Sequence, residues 1–130
     1  TIETQRGHDL ARLIWEGEPE PDTGIPGEIL GYSEERVLRT PVGGIFKAHK
    51  KIGEQVSEGD VVATVGEIPV KPRISGVLRG ILRDGTRVKE RMKAGDIDPR
   101  GKGAYCYSIS DKARSVAGGV LRAILMRFNV

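Results

Sequence analysis

Short apolar runs separated by glycine and proline dominate the chain until its C-terminal end. Ile2 and Thr4 alternate around Glu3, at best one short strand. Leu10–Trp15 (LARLIW) is too brief for periodicity to choose between a strand and a helical turn. From Glu16 to Glu35, Pro19, Pro21 and Pro26 interleave with Gly17, Gly24, Gly27 and Gly31, a spacing that no regular helix survives. That stretch reads as a linker or as an ordered loop. Trp15, Ile25, Ile29, Leu30 and Tyr32 give it something to bury, and long loops that carry apolar residues are more often functional than linkers are.

An internal repeat follows. At an offset of 32 residues, Arg39–Lys47 (RTPVGGIFK) lies over Lys71–Arg79 (KPRISGVLR), with Gly44 on Gly76, Phe46 on Leu78, Gly53 on Gly85, Val56 on Val88 and Val65 on Ile97. Only 4 of the 27 pairs from Arg39–Val65 are identical, so identity alone proves nothing. Placement is the argument: the shared glycines fall where turns are expected and the matched apolar residues fall in the runs between them. Beyond the repeat, Tyr105–Ile109 reads as a strand. Ser110-Asp111 then offers an N-cap to a helix whose Val116, Ala117, Val120, Leu121, Ile124, Leu125 and Phe128 recur at helical spacing. Gly118-Gly119 in the middle of that helix cost up to about 2 kcal/mol of propensity, which implies close approach of another backbone.

The chain therefore divides into residues 1–36, an extension with an ordered loop; 37–99, the repeat; and 100–130, a strand and a C-terminal amphipathic helix packed on the repeat. The expected class is mainly β. Of the 130 residues 18 are glycine, in keeping with tight turns between short strands. A net charge of +3 and 5% aromatics argue against a nucleic-acid partner. No apolar run is long enough to span a bilayer, so no membrane partner is expected. The single cysteine, Cys106, excludes an internal disulfide framework and a multi-cysteine zinc site. With no signal peptide visible in the first residues, the expected location is cytoplasmic. The chain begins at Thr1 rather than methionine and is expected to be a fragment or a processed form.

Two strand–Gly–strand–turn–strand units resemble the biotinyl/lipoyl-like fold, a barrel-sandwich hybrid made of two interlocked half-motifs. Thr40-Pro41-Val42-Gly43-Gly44-Ile45-Phe46 and Ile52-Gly53-Glu54-Gln55-Val56-Ser57-Glu58-Gly59 match the first half-motif. The second half departs from it, since Arg91 stands where Gly59 stands. Carriers of this type present a lysine in the hairpin that joins the halves. Here the join is Val65-Gly66-Glu67-Ile68-Pro69-Val70, so no prosthetic-group lysine is expected.

A second resemblance covers nearly the whole chain. Arg6-Gly7-His8-Asp9-Leu10, Ile14-Trp15-Glu16-Gly17, Asp22-Thr23-Gly24-Ile25-Pro26-Gly27, Gly95-Asp96-Ile97-Asp98-Pro99-Arg100-Gly101 and Ile109-Ser110-Asp111-Lys112-Ala113-Arg114 look like the C-terminal part of the YqeB family. That resemblance implies an accessory domain of a selenium-dependent molybdenum hydroxylase system, assisting cofactor or selenium maturation without independent catalysis. It also implies partners: a molybdenum hydroxylase or its maturation proteins, and an N-terminal region of the same protein. No cofactor is expected in this stretch itself; handling of molybdenum cofactor or selenium is implied by the resemblance alone. The alternatives are a biotin- or lipoyl-type carrier and a structural docking module.

Candidate chemistry is sparse. Asp9 beside His8 and Arg6 could orient an imidazole or help bind an anion, although a surface histidine is the plainer reading. Asp96 and Asp98 alternate around Ile97, so a strand would put both carboxylates on one face, with Arg100 following as a partner or an anion-binding group. The plainer reading has Asp98 capping a turn and pairing with Arg100. Cys106 is a thiol candidate if it is exposed and its pKa is lowered; buried, it is an inert hydrophobe. No His/Cys cluster has metal-ligand spacing.

Overall fold

In the computed structural model, which describes residues 1–129, the offset read from the sequence recurs in the backbone. β1 (Val37–Arg39), β2 (Gly44–Ala48), β3 (Gln55–Val56) and β4 (Ala63–Val65) are followed in the same order by β5 (Ile68–Val70), β6 (Gly76–Ile81), β7 (Arg87–Val88) and β8 (Lys93–Asp98). The strands pair antiparallel in two four-stranded sheets, ordered β1-β8-β6-β3 and β5-β4-β2-β7. Each sheet draws two strands from each half, and exchanging the halves converts one order into the other.

Backbone hydrogen bonds repeat the symmetry. Gly53 N–H donates to the Leu78 carbonyl at 2.8 Å and Gly85 N–H to that of Phe46 at 2.9 Å. Gly59 N–H reaches Pro72 at 3.0 Å, and Arg91 N–H reaches Thr40 at 2.8 Å. Gly59 has φ +83° and Arg91, its mate, φ +60°. The residue that departs from the pattern thus keeps the left-handed backbone, a conformation unfavourable to a Cβ. The same pairing organises the core. Phe46 and Leu78 are completely buried, and Val65, Ile97, Val56 and Val88 are buried beside them. Burial of apolar side chains at matching positions in both halves is what holds the sheets in register.

Among the described residues no strand pair joins the two sheets, so the expected barrel is not closed. What stands is a mainly β unit of two antiparallel sheets. The edge strands β3 and β7 supply only two residues each, too little ladder to carry pairing around a corner. The strand expected at Tyr105–Ile109 is also corrected. Gly103–Tyr107 is a 3-10 helix, in which Tyr105 N–H bonds to the Lys102 carbonyl at 3.0 Å. β8 already has β1 and β6 on its two edges, so this segment finds no ladder beside it, and local turn bonds win over strand propensity.

Residues Pro26–Tyr107 form one compact unit, and Thr1–Ile25 with the described residues from Ser108 onward form another. In the second, Ile2 and Leu13 meet in an isolated antiparallel bridge. The buried Glu3 carboxylate accepts the backbone N–H groups of Gln5 at 2.7 Å and Glu20 at 2.9 Å. The Gln5 bond first, and then that of Glu20, hold the carboxyl below its ordinary range. α1 (Asp111–Phe128) begins at the expected cap, where Ser110 Oγ accepts from Ala113 N–H at 3.2 Å. It ends at Asn129, left-handed at φ +53°.

Gly119 is the buried residue of α1. A Cβ there would lie 2.8 Å from the carbonyl oxygen of Ala11, whereas one on Gly118 would meet nothing within 4 Å. The close approach implied by the glycine pair is therefore made by Gly119 alone, against the N-terminal segment. Gly119→Leu is expected to push the helix away from Ala11 and to lower the thermal midpoint, by an overpacking cost of about 1–3 kcal/mol. Melts of both proteins at several concentrations check this. A wild-type midpoint that rises with concentration would place the contact in an assembly instead.

Candidate functional site

β8 carries Asp96 and Asp98 on either side of Ile97. Strand alternation sends Ile97 into the core and both carboxylates away from it. Each carboxylate is met by arginine. Asp98, 1% exposed, accepts from Arg100 Nη2 at 2.6 Å and Arg79 Nη1 at 3.2 Å, while its Oδ1 takes the Arg100 backbone N–H at 3.0 Å and Nε at 2.9 Å. The Arg100 guanidinium holds the Asp98 carboxyl below the usual carboxylate range; burial opposes this, and the Arg100 amide and Arg79 add to it.

Asp96 Oδ2 pairs with Arg36 Nη2 at 3.0 Å. Arg36 is itself buried and also donates to the carbonyls of Ile97 at 3.3 Å and Gly27 at 2.6 Å. Asp96 Oδ1 is buried without a hydrogen-bond partner among the described residues. Arg100 also lies over the Tyr105 ring, 4.7 Å from its centroid, with Lys102 Nζ at 5.5 Å.

This arrangement fastens β8 to β6, to the residues before β1 and to the loop that follows. Both Asp98 oxygens face guanidinium nitrogens, so this carboxylate is a poor proton donor and a poor cation ligand. Among the described residues no group of three or more His, Cys, Asp or Glu is placed to hold a metal ion. Cys106 is half-buried in the 3-10 helix, its Sγ 3.9 Å from the Leu78 carbonyl oxygen.

Arg6, His8 and Asp9 belong to the other unit. Arg6 forms a two-point pair with Asp111, Nη1 to Oδ2 at 2.7 Å and Nη2 to Oδ1 at 3.1 Å. That contact first, and the Lys112 backbone N–H second, hold the Asp111 carboxyl well below its ordinary range. Asp9 pairs with Arg12 at 3.3 Å, and His8 is exposed. The acid expected to orient His8 thus has a guanidinium as its partner.

This unit has a groove of about 470 Å³ between α1 and the first residues of the chain. Ile2, Leu13 and Trp15 form one wall and Val120, Ile124 and Phe128 the other; among the described residues Arg127 is the one charged side chain in the lining. Trp15 is 65% exposed and Phe128 67%. Exposed apolar side chains clustered around a concavity mark an interaction surface more often than isolated ones do. Sequence reasoning found the apolar stripe of α1 but not its wall, because Ile2 and Leu13 pair through a single bridge that no short-range pattern announces. It also missed Arg36 and Arg79, which stand in ordinary polar positions of their segments.

Comparison with known proteins places these features in context. The chain is 48% identical over 125 residues to YqeB of Escherichia coli (strain K12), an uncharacterized protein; the match spans 96% of this chain and 23% of that one. This supports the resemblance to the YqeB family and makes the chain similar to a segment of a much longer relative. No family model matches. Among solved structures, an aspartoacylase family protein from Mesorhizobium loti overlaps 49% of this chain and 23% of its own, at 21% identity and a TM-score of 0.44. The ectoine utilization protein EutE from Ruegeria pomeroyi overlaps 63% of this chain and 27% of its own, at 19% identity and a TM-score of 0.41.

Proposed function

We propose that this chain is an accessory docking module of a YqeB-type protein, acting in a selenium-dependent molybdenum hydroxylase system without catalysing a reaction of its own. The groove beside α1 carries the reading, and its occupant is a segment of the remainder of the same protein. A homologue of which the matched part is only 23% has ample chain to supply one. The YqeB resemblance supplies the pathway. The ion-paired carboxylates support a scaffolding role, since their charges are spent on holding strands and loops together.

The groove does not suit a molybdenum cofactor. Such a group is anionic and polar, whereas the groove is lined mainly by apolar side chains, with Arg127 the one charged side chain among the described lining residues. In the other unit, Arg36, Arg79 and Arg100 are engaged by Asp96 and Asp98. The finer fold assignment, a biotinyl/lipoyl-like barrel-sandwich hybrid, rests on the exchanged halves. The β4–β5 hairpin turns at Gly66-Glu67, and Lys71 lies beyond β5.

The test replaces the native protein in its host by the Ile124→Asp variant. Ile124 is 45% exposed, so the variant is expected to fold normally while presenting a charge to the groove. The expected result is an unchanged thermal midpoint with a several-fold loss of selenium-dependent hydroxylase activity. Full hydroxylase activity in the variant would overturn the proposal.

A further inference from the structure

We infer that the occupant of the groove is an amphipathic helix with acidic residues on both flanks of its apolar ridge. The inference rests on the docking reading above and adds the chemistry that selects the partner. At about 100° per residue, Val120, Ile124, Phe128, Leu121 and Leu125 of α1 form an apolar stripe roughly 140° wide. These five side chains are all at least 42% exposed. Helical positions 116, 119 and 123 are turned toward the interior of the unit, so the stripe is a second, uncovered face and not the one already packed.

Shape and charge then define what covers it. The stripe continues into a recess walled by Ile2, Leu13 and Trp15, which takes a ridge of side chains, as helix-in-groove recognition requires. Arg127 borders one edge of the stripe and Arg122 the other. After Asp111, which is held by Arg6, α1 contains arginines and no acid. Among the described residues neither Arg122 nor Arg127 has a carboxylate within ion-pair distance. A second copy of α1 would bring like charges together along the seam, which disfavours self-pairing. A flat lipid surface would leave the recess unfilled, although cationic flanks beside an apolar face also suit anionic lipid. A helix with Glu or Asp flanking a Leu- or Ile-rich ridge satisfies both the recess and the arginines.

Trp15 is the one tryptophan of the chain, and its emission reports the groove directly. The experiment titrates the chain with two synthetic 18-residue helical peptides that share a leucine ridge, one flanked by glutamates and one by lysines. Vesicles of phosphatidylcholine with phosphatidylglycerol form a third arm, and sedimentation of the chain alone a fourth. The expected result is a blue shift of Trp15 with the glutamate peptide, at least tenfold tighter than with the lysine peptide. That preference narrows at high salt and reverses in the Arg122→Glu/Arg127→Glu variant. Equal affinity for both peptides, or silence toward both, overturns the acidic occupant while the Ile124→Asp result in the host still decides the docking reading. A response to vesicles alone overturns both and makes the groove a lipid-binding face. A concentration-dependent dimer that quenches the groove overturns the inference in favour of a second copy.

Discussion

Gly76→Ala is expected to lower the thermal midpoint far more than Gly44→Ala, although the two glycines are mates in the repeat. Gly44 stands opposite Val88 and Gly76 opposite Val56, with φ +154° and +158°. Their surroundings differ. A Cβ on Gly76 would lie 2.3 Å from the carbonyl oxygen of Asp98 and 2.8 Å from its carbonyl carbon; one on Gly44 would lie 2.9 Å from Val65 Cγ1. Val65 can shift its side chain. Asp98 is backbone of a strand paired on both edges, and moving it breaks the ladder to β6 and disturbs the arginine cluster. The expected cost is about 3 kcal/mol at Gly76 and about 1 kcal/mol at Gly44, the gap between overpacking backbone and overpacking a side chain. Chemical denaturation of the two variants measures it, and equal losses would show that β8 yields more easily than its two-sided pairing implies.

Asp98→Asn carries the second large effect. The substitution keeps the shape but turns an amide toward donors that now face a carboxylate, leaving the Arg79 and Arg100 guanidiniums without their buried counter-charge. Removing one partner of a buried pair is the destabilising case. Because Arg79 and Arg100 are 26% and 35% exposed they recover some hydration, which sets the expected loss at about 2–3 kcal/mol. Asp9→Asn, at an exposed pair with Arg12, is expected to cost under about 1 kcal/mol.

The pH dependence has a definite sign. The Asp98 carboxyl is depressed in the folded protein below its ordinary 3.8, so its contribution is complete above that value and is lost as pH falls through the folded-state pKa. The stability difference between wild type and Asp98→Asn is therefore expected to be constant from about pH 5 to 7 and to shrink below about pH 4. A difference that does not change with pH would mean that Asp98 acts by shape rather than charge.

Features that depend on neighbours along the chain are legible from the residues alone. The offset between Gly44 and Gly76, and between Phe46 and Leu78, predicted two halves with matched strands, because a glycine-marked turn and an apolar alternation are local requirements of backbone and burial. Ser110 as N-cap and the apolar spacing of α1 were legible for the same reason, as was the arginine that follows Asp98, only two residues away. Tertiary structure decided the rest. Whether the halves close into a barrel depends on edge strands finding partners, and β3 and β7 are too short to offer them. Tyr105–Tyr107 has strand-like composition but coils into a 3-10 helix beside a sheet whose neighbouring strand is already paired on both edges. Arg36 reaches Asp96 across 60 residues, Arg6 reaches Asp111 across 105, and Ile2 and Leu13 meet α1 to wall the groove. Such contacts join segments that the chain brings together only on folding, so the charges and the groove that bear on function become visible only in three dimensions.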